Sequence, residues 1–147
     1  MEINTTRFGN INLEDSPVIN LRGPILGFEH LNRYTLIHQK EDSAFWWFQS
    51  VDDGAVAFVV VNPCLIKEDY EPELRDDDVA LLEIEDPSDV QLLVVVTIRS
   101  NPTQISANMR APIVINLKQK LGKQIVLDDD SYDVQHRIET NSNGYNS

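Results

Sequence analysis

Basic side chains are scarce in this sequence: 12 lysines and arginines stand against 24 aspartates and glutamates, a formal net charge of −12. A chain so poor in cations repels the phosphate backbone, which is bound through Lys and Arg with release of counterions. Direct nucleic-acid binding is therefore disfavoured. The same charge favours a basic protein surface as partner, against the plainer reading that the acids only keep the domain soluble. Cysteine is nearly absent as well. Cys64 alone closes no internal disulfide, which suits a reducing compartment. It follows Asn62-Pro63 at the end of an apolar run and reads as a small buried hydrophobe rather than a nucleophile. No basic stretch followed by an apolar core opens the chain at Met1-Glu2-Ile3-Asn4, so no signal peptide is expected. The longest apolar run, residues 55–61, is far too short to cross a bilayer. The expected location is the cytosol, with no membrane partner.

Signatures of chemistry are missing too. There is no nucleophile elbow, no Gly-rich phosphate loop and no His-Glu-x-x-His. His30, His38 and His136 are too far apart for a zinc site. Asp128-Asp129-Asp130 with Asp133 invites a calcium reading, but the alternating register, the Gly at the bend and the closing Glu are all lacking. Carboxylate pairs are inevitable in so acidic a chain, so their number does not argue for a glycosidase. No cofactor or metal is called for, and nothing speaks for catalysis.

What is present is a series of short strand signals. With 147 residues, 41% of them hydrophobic, the chain fits one domain with one core. Residues 3–8 and 11–13 flank Gly9-Asn10, which predicts a two-residue hairpin turn. Residues 18–21 form a short apolar run, 27–32 one helical turn, and 34–38 extended chain. An aromatic strand at 44–51 leads through the turn Asp52-Asp53-Gly54 to a strand at 55–61. Residues 90–98 are a second strand apolar on both faces, as central strands are. Residues 111–117 form a β-branched strand with Pro112 near its start, where proline is tolerated. Residues 118–123 then read as a hairpin loop and 124–127 as the return. Helix is confined to residues 76–82, whose aspartates suit a helix start, and one turn after Asp86-Pro87. This pattern predicts a mainly β fold: a compact antiparallel β-barrel-like single domain with short helical turns. Residues 139–147 are polar and read as a flexible tail.

Two segments invite a docking role. Residues 68–89 hold 11 of the 24 acids with Arg75 as their only base. Within them Tyr70, Pro72 and Leu74 alternate with Glu71 and Glu73, ahead of Asp76, Asp77 and Asp78. A solvated surface with a capped helix explains the three aspartates; an extended acidic edge that docks a protein explains the alternation. Asn108 and Met109 lie in a segment, 103–110, expected to be an exposed loop and hence a contact site; the plainer reading is a connector with Asn108 bonded to its own backbone. In Phe45-Trp46-Trp47-Phe48 alternate residues face opposite sides, and core on both faces is the simpler expectation over an exposed patch.

Ala107-Asn108-x-x-Ala111-Pro112-Ile113-Val114-Ile115-Asn116, followed by Gly122-x-Gln124-x-Val126-Leu127, resembles the flagellar assembly factor FliW family. Gly27-Phe28-Glu29, Phe48-Gln49-Ser50-Val51 leading to Val61-Asn62-Pro63, and residues 69–74 agree in the same order, over roughly residues 3–138. The chain departs from the family at Gly23-Pro24-Ile25-Leu26-Gly27, where G-L-P-G is common, and at Cys64-Leu65-Ile66, where the family is more aromatic. The resemblance implies a domain over residues 1–138 that is β-barrel-like, non-enzymatic and cytosolic. It further implies two partners, flagellin and the RNA-binding translational repressor CsrA. Flagellin would hold the factor until export releases it to antagonise the repressor and relieve flagellin translation. Within that frame Tyr70, Glu71, Glu73, Asp76, Asp77 and Asp78 are candidates for the repressor contact, and Asn108 and Met109 for a second contacting loop. The alternative is a small acidic enzyme with a pocket at the barrel mouth; convergent polar groups in a deep cavity would favour it, and a filled barrel would not.

Overall fold

Two valine-rich runs set the architecture. In the computed structural model, which describes residues 2–15, 17–38, 40–98 and 105–138, they become β6 (Ala57–Val61) and β7 (Val90–Ile98), paired antiparallel. The other strands are β1 (Glu2–Thr5), β2 (Gly9–Asn12), β3 (Val18–Leu21), β4 (Arg33–Ile37), β5 (Phe45–Ser50), β8 (Ile105–Ala107), β9 (Ile113–Asn116), β10 (Leu121–Gln124) and β11 (His136–Ile138). One helix, α1, spans Asp76–Leu81, and short 3-10 turns cover Leu13–Asp15, Pro63–Leu65 and Pro87–Asp89. The large sheet runs β11-β8-β7-β6-β5-β4-β3-β10-β9, and a further pairing of β7 with β9 closes it into a ring. β1 and β2 form a separate hairpin.

Strand alternation divides the side chains into two layers. Inside the ring lie Ile19, Tyr34, Phe48, Val60, Leu93, Ile113 and Ile115, with the rings of Tyr34 and Phe48 stacked at 4.5 Å. On the outer face Val61, Val94, Val96, Val114 and Leu121 are covered by Tyr70, Leu82, Met109, Ile125, Leu127 and Ile138. β6 and β7 are apolar on both sides because each serves both layers. Phe48 is fully buried, whereas Trp46 stacks on His38 and Trp47 is covered only by the β1–β2 hairpin, through Phe8 and Arg7.

Several expectations are corrected. The first hairpin turns through residues 6–8, not Gly9-Asn10, since Thr5 pairs with Gly9. The Thr5 hydroxyl closes that loop, accepting from the Phe8 N–H at 2.8 Å and donating to the Gly9 carbonyl at 2.9 Å, while Gly9 takes the left-handed φ of +68°. Residues 25–31 make two successive tight turns (Phe28 N–H to Ile25 O, Leu31 N–H to Phe28 O) rather than a helical one, with Gly27 at φ +89°. The β9–β10 loop is only residues 117–120: Asn116 Oδ1 accepts from the Lys118 and Gln119 N–H groups, and Lys120 supplies the positive φ. The barrel is not wholly antiparallel, since β10 runs parallel to β3. That contact needs Gly122, where a Cβ would lie 3.1 Å from Leu21 and 3.2 Å from Ile19. Cys64 is exposed: Asn62 caps the short turn that carries it, and its Sγ bonds the Tyr70 carbonyl at 3.8 Å at the surface. Residues 105–107 of the expected loop are strand β8. The expected tail, 139–147, and residues 103 and 104 lie outside the described residues.

The β1–β2 hairpin packs Ile3 and Leu13 on Val51 and crosses the β5–β6 turn closely. A Cβ on Gly54 would fall 1.9 Å from the Asn4 carbonyl oxygen. Gly54→Ala is expected to cost about 1–3 kcal/mol in urea unfolding, as overpacking does. The displaced hairpin should also change the fluorescence of Trp47. An unaltered midpoint and spectrum would show that the hairpin yields freely.

Candidate protein-docking surface

The two segments singled out in the sequence meet in space. The Tyr70 hydroxyl, buried, donates to the Met109 carbonyl at 2.7 Å, and the Tyr70 ring sits edge-on to Tyr132 at 4.8 Å. From Tyr70 the chain runs extended over the outer layer without joining any sheet. Pro72 and Leu74 are half-buried while Glu71 and Glu73 stay exposed, so the alternation in sequence is an alternation in burial. Arg75 then precedes α1, where Asp76 and Asp77 are exposed at the first turn.

Three of the candidate residues are not available surface. Met109 is 1% exposed, against the expectation of an exposed contact: its N–H bonds the Asp133 carbonyl at 2.9 Å, pulling the segment into the outer core. Tyr70 is 4% exposed and acts as a pin between the strip and that segment. Asp78, 5% exposed, bonds Lys123 Nζ of β10 at 2.7 Å and so anchors α1 to the barrel. Asn108 is half-buried and follows the plainer reading, its Oδ1 accepting from the Arg110 and Ala111 N–H groups at 3.2 and 3.1 Å. Glu71, Glu73, Asp76 and Asp77 remain as open charge.

Facing the strip are residues 125–129, which carried no partner-contact expectation. Together they bound a groove of 520 Å³, with Leu74, Ile125, Leu127 and Tyr132 as apolar lining and Glu71, Glu73, Asp76, Asp128 and Asp129 as acids. In the sequence the aspartate run Asp128-Asp129-Asp130 is the one signal that points here, as negative charge rather than as a cation site. Arg75, the one cation lining the groove, spans it in an ion pair with Asp128. The Asp129 carboxyl is held below the usual range, first by hydrogen bonds from Ser131. Among the described residues no group of three or more His, Cys, Asp or Glu side chains could hold a metal ion.

The barrel mouth carries a second groove of 420 Å³, lined by Leu36, Trp46, Leu65, Leu93 and Leu117 with Ser43, Asn62 and Gln91 as its polar groups. No ionisable side chain lines it, and the interior below is filled by Tyr34, Phe48 and their neighbours. This arrangement does not favour the enzyme reading. No helix among the described residues is long and apolar enough to cross a membrane.

Known proteins agree with one another about the chain. The family model described as "FliW protein" matches residues 2–138. The flagellar assembly factor FliW of Syntrophus aciditrophicus is 50% identical over 138 residues, covering 94% of this chain and 87% of that protein. The factor of the same name from Ruminiclostridium cellulolyticum is 41% identical over 139 residues, covering 94% of each. A crystal structure of the flagellar assembly factor FliW superposes with a TM-score of 0.87 at 30% identity, covering 97% of this chain and 99% of that one.

Two buried tyrosines separate packing from hydrogen bonding. Tyr34 has no partner for its hydroxyl among the described residues, and burial pushes its pKa up to about 12. The Tyr70 pKa is raised further, by burial first and then by Tyr132 and Cys64. Tyr70→Phe should cost about 1–3 kcal/mol, since it orphans the buried Met109 carbonyl, whereas Tyr34→Phe should be near neutral. Both hydroxyls hold their protons more tightly folded than unfolded, where the value is near 10. Their contribution is therefore complete below pH 10 and lost as pH rises above it. Chemical unfolding across pH 8–11.5 checks this: wild-type stability should fall above pH 10, less steeply in either Phe variant.

Proposed function

The chain belongs to the FliW family of flagellar assembly factors, and from that membership we propose that it binds flagellin and, when flagellin is exported, the RNA-binding translational repressor CsrA. Flagellar assembly is a non-enzymatic role carried out with protein partners. The finer reading is a switch between two of them. While flagellin is abundant inside the cell it occupies the factor, acting as a chaperone-type client, and the repressor stays on flagellin mRNA. Once flagellin leaves, the free factor binds the repressor and translation resumes. A cytosolic location belongs to this reading.

The observation that carries it is the match over nearly the whole chain, joined to a net charge of −12. A protein that binds RNA has to present Lys and Arg to the phosphates. An acidic partner is therefore attracted to it and, once bound, repels the competing RNA. Glu71, Glu73, Asp76 and Asp77 supply open charge for that attraction, and Asp128 and Asp129 extend it across the groove. Tyr70, Asp78 and Met109 support the surface from beneath, and Asn108 shapes the turn beside Met109.

Surface plasmon resonance with purified repressor and purified flagellin tests the proposal. Both are expected to bind. Repressor association should slow as salt rises, because at 0.1 M ionic strength charges more than about 10 Å apart are already screened. The protein alone should show no affinity for the leader of a flagellin mRNA. Tight binding to that RNA, or binding to neither protein, would refute the reading.

A further inference from the structure

The groove wall formed by residues 125–128 continues beyond the end of β10 as extended chain bonded along one side only. The Ile125 and Leu127 N–H groups bond the Pro112 and Arg110 carbonyls at 2.9 and 2.8 Å, committing the backbone of odd-numbered residues to the β9 side. Even-numbered residues face the other way. There β3 serves Lys120 and Gly122, whose carbonyls accept from Asn20 and Arg22 at 2.9 and 2.7 Å. Beyond Arg22 the chain leaves the sheet at Gly23-Pro24, and its Leu26 N–H reaches the Gln124 side chain at 3.0 Å rather than the backbone beyond it. Val126 lines the groove and is 52% exposed, and neither its N–H nor its C=O has a partner among the described residues. Such an edge is a template for a further strand.

We propose that this edge accepts an extended basic segment of the RNA-binding repressor as an added β-strand, with Arg75 holding the place of the segment's cation on Asp128. The inference rests on the protein-binding reading above. A strand laid along Val126 would exchange both backbone hydrogen bonds with it, and its alternate residues would be spaced at about 6.4–6.8 Å. One set would meet Leu74 and Val126, and the other the carboxylates of Glu71, Glu73 and Asp129. Charge selects the occupant: five acids line the groove against Arg75, already paired, with Lys67 over the Tyr132 ring and Arg110 near Asp129 offsetting only part of that charge. The Arg75–Asp128 pair is exposed on both sides, 61% and 81%, and a pair of this kind contributes little to stability. A partner's Lys or Arg can displace Arg75 without disturbing the fold.

This arrangement predicts an effect of unusual sign. Arg75→Ala removes a side chain that touches the groove, yet repressor binding should tighten several-fold, because Asp128 is freed and the surface gains negative charge. Val126→Pro deletes the outward N–H and should weaken binding about tenfold or more, while Val126→Thr should leave it unchanged. Glu71→Gln with Glu73→Gln should weaken it independently of the edge. Circular dichroism and thermal unfolding confirm that each variant is folded, and the double Gln variant decides if the Pro variant is not. Resonance measurements against repressor, flagellin and a synthetic alternating Lys-Val peptide separate the outcomes. If the wild type binds both proteins but Arg75→Ala weakens or does not move repressor binding, the placeholder is overturned and the family reading stands. If flagellin binding alone responds to the variants, the occupant is overturned. If the wild type binds neither protein, the family reading falls, and the peptide then decides the edge: the same order of affinities supports it, and indifference to the variants overturns it.

Discussion

A strand with no polar face must be covered on both sides, and β7 is that strand. Its nine residues, Val90–Ile98, pair with β6 along one edge and with β9 and then β8 along the other. Leu93 and Val95 fill the barrel while Val94 and Val96 face outward. The barrel satisfies the first set. The second requires an outer layer, and the chain supplies it from segments with little regular structure of their own: residues 70–84, Met109 and residues 125–127. The acidic strip exists where it does because β7 and its neighbours need a cover.

That cover is held by a few polar contacts. Asn116 Nδ2 donates to the Leu82 and Glu83 carbonyls at 2.9 and 3.0 Å, tying the end of α1 to the β9–β10 turn its Oδ1 already caps. Lys123 holds Asp78, and the Tyr70 hydroxyl holds Met109. A six-residue helix is too short to stand alone. With its C-terminus on Asn116 and its first turn on Lys123, the exposed carboxylates of Asp76 and Asp77 keep a fixed position.

These contacts explain which parts of the fold were legible in the sequence. β7, α1 and the turn after Asp86 could be read because each depends on its own residues: apolar runs, aspartates at a helix start, a cap before proline. Several of the residues that carry the family resemblance are structural ties. Gln49 Nε2 donates to the carbonyls of Ser50, Gly54 and Val56, Asn62 caps the next turn, Gly122 permits the parallel contact with β3, and Asn116 fastens α1. These ties identify the fold, whereas the matching residues 69–74 lie on the acidic strip. Met109 shows why the site was harder to read. Its neighbours in sequence are polar and turn-forming, so it looked like part of a loop. Its burial is decided by Asp133 and Tyr70, 24 and 39 positions away, and no local pattern encodes either contact. Cys64 fails in the opposite direction: its apolar context suggested burial, but on the capped 3-10 turn it stays exposed beside the Tyr70 carbonyl.

The division between ties and open charges bears on how such a surface can change. Substituting Asn116, Lys123 or Tyr70 leaves a buried polar group without its partner, with a cost in stability of the order of 1–3 kcal/mol each. Substituting Glu71, Glu73, Asp76 or Asp77 alters only an exposed charge, and exposed charges contribute little to the fold. They act chiefly on the rate and salt dependence of association. Exposed charge can therefore vary over these four positions and across the exposed Arg75–Asp128 pair while the barrel beneath is unchanged. This accords with a chain that keeps a TM-score of 0.87 to a FliW crystal structure at only 30% identity.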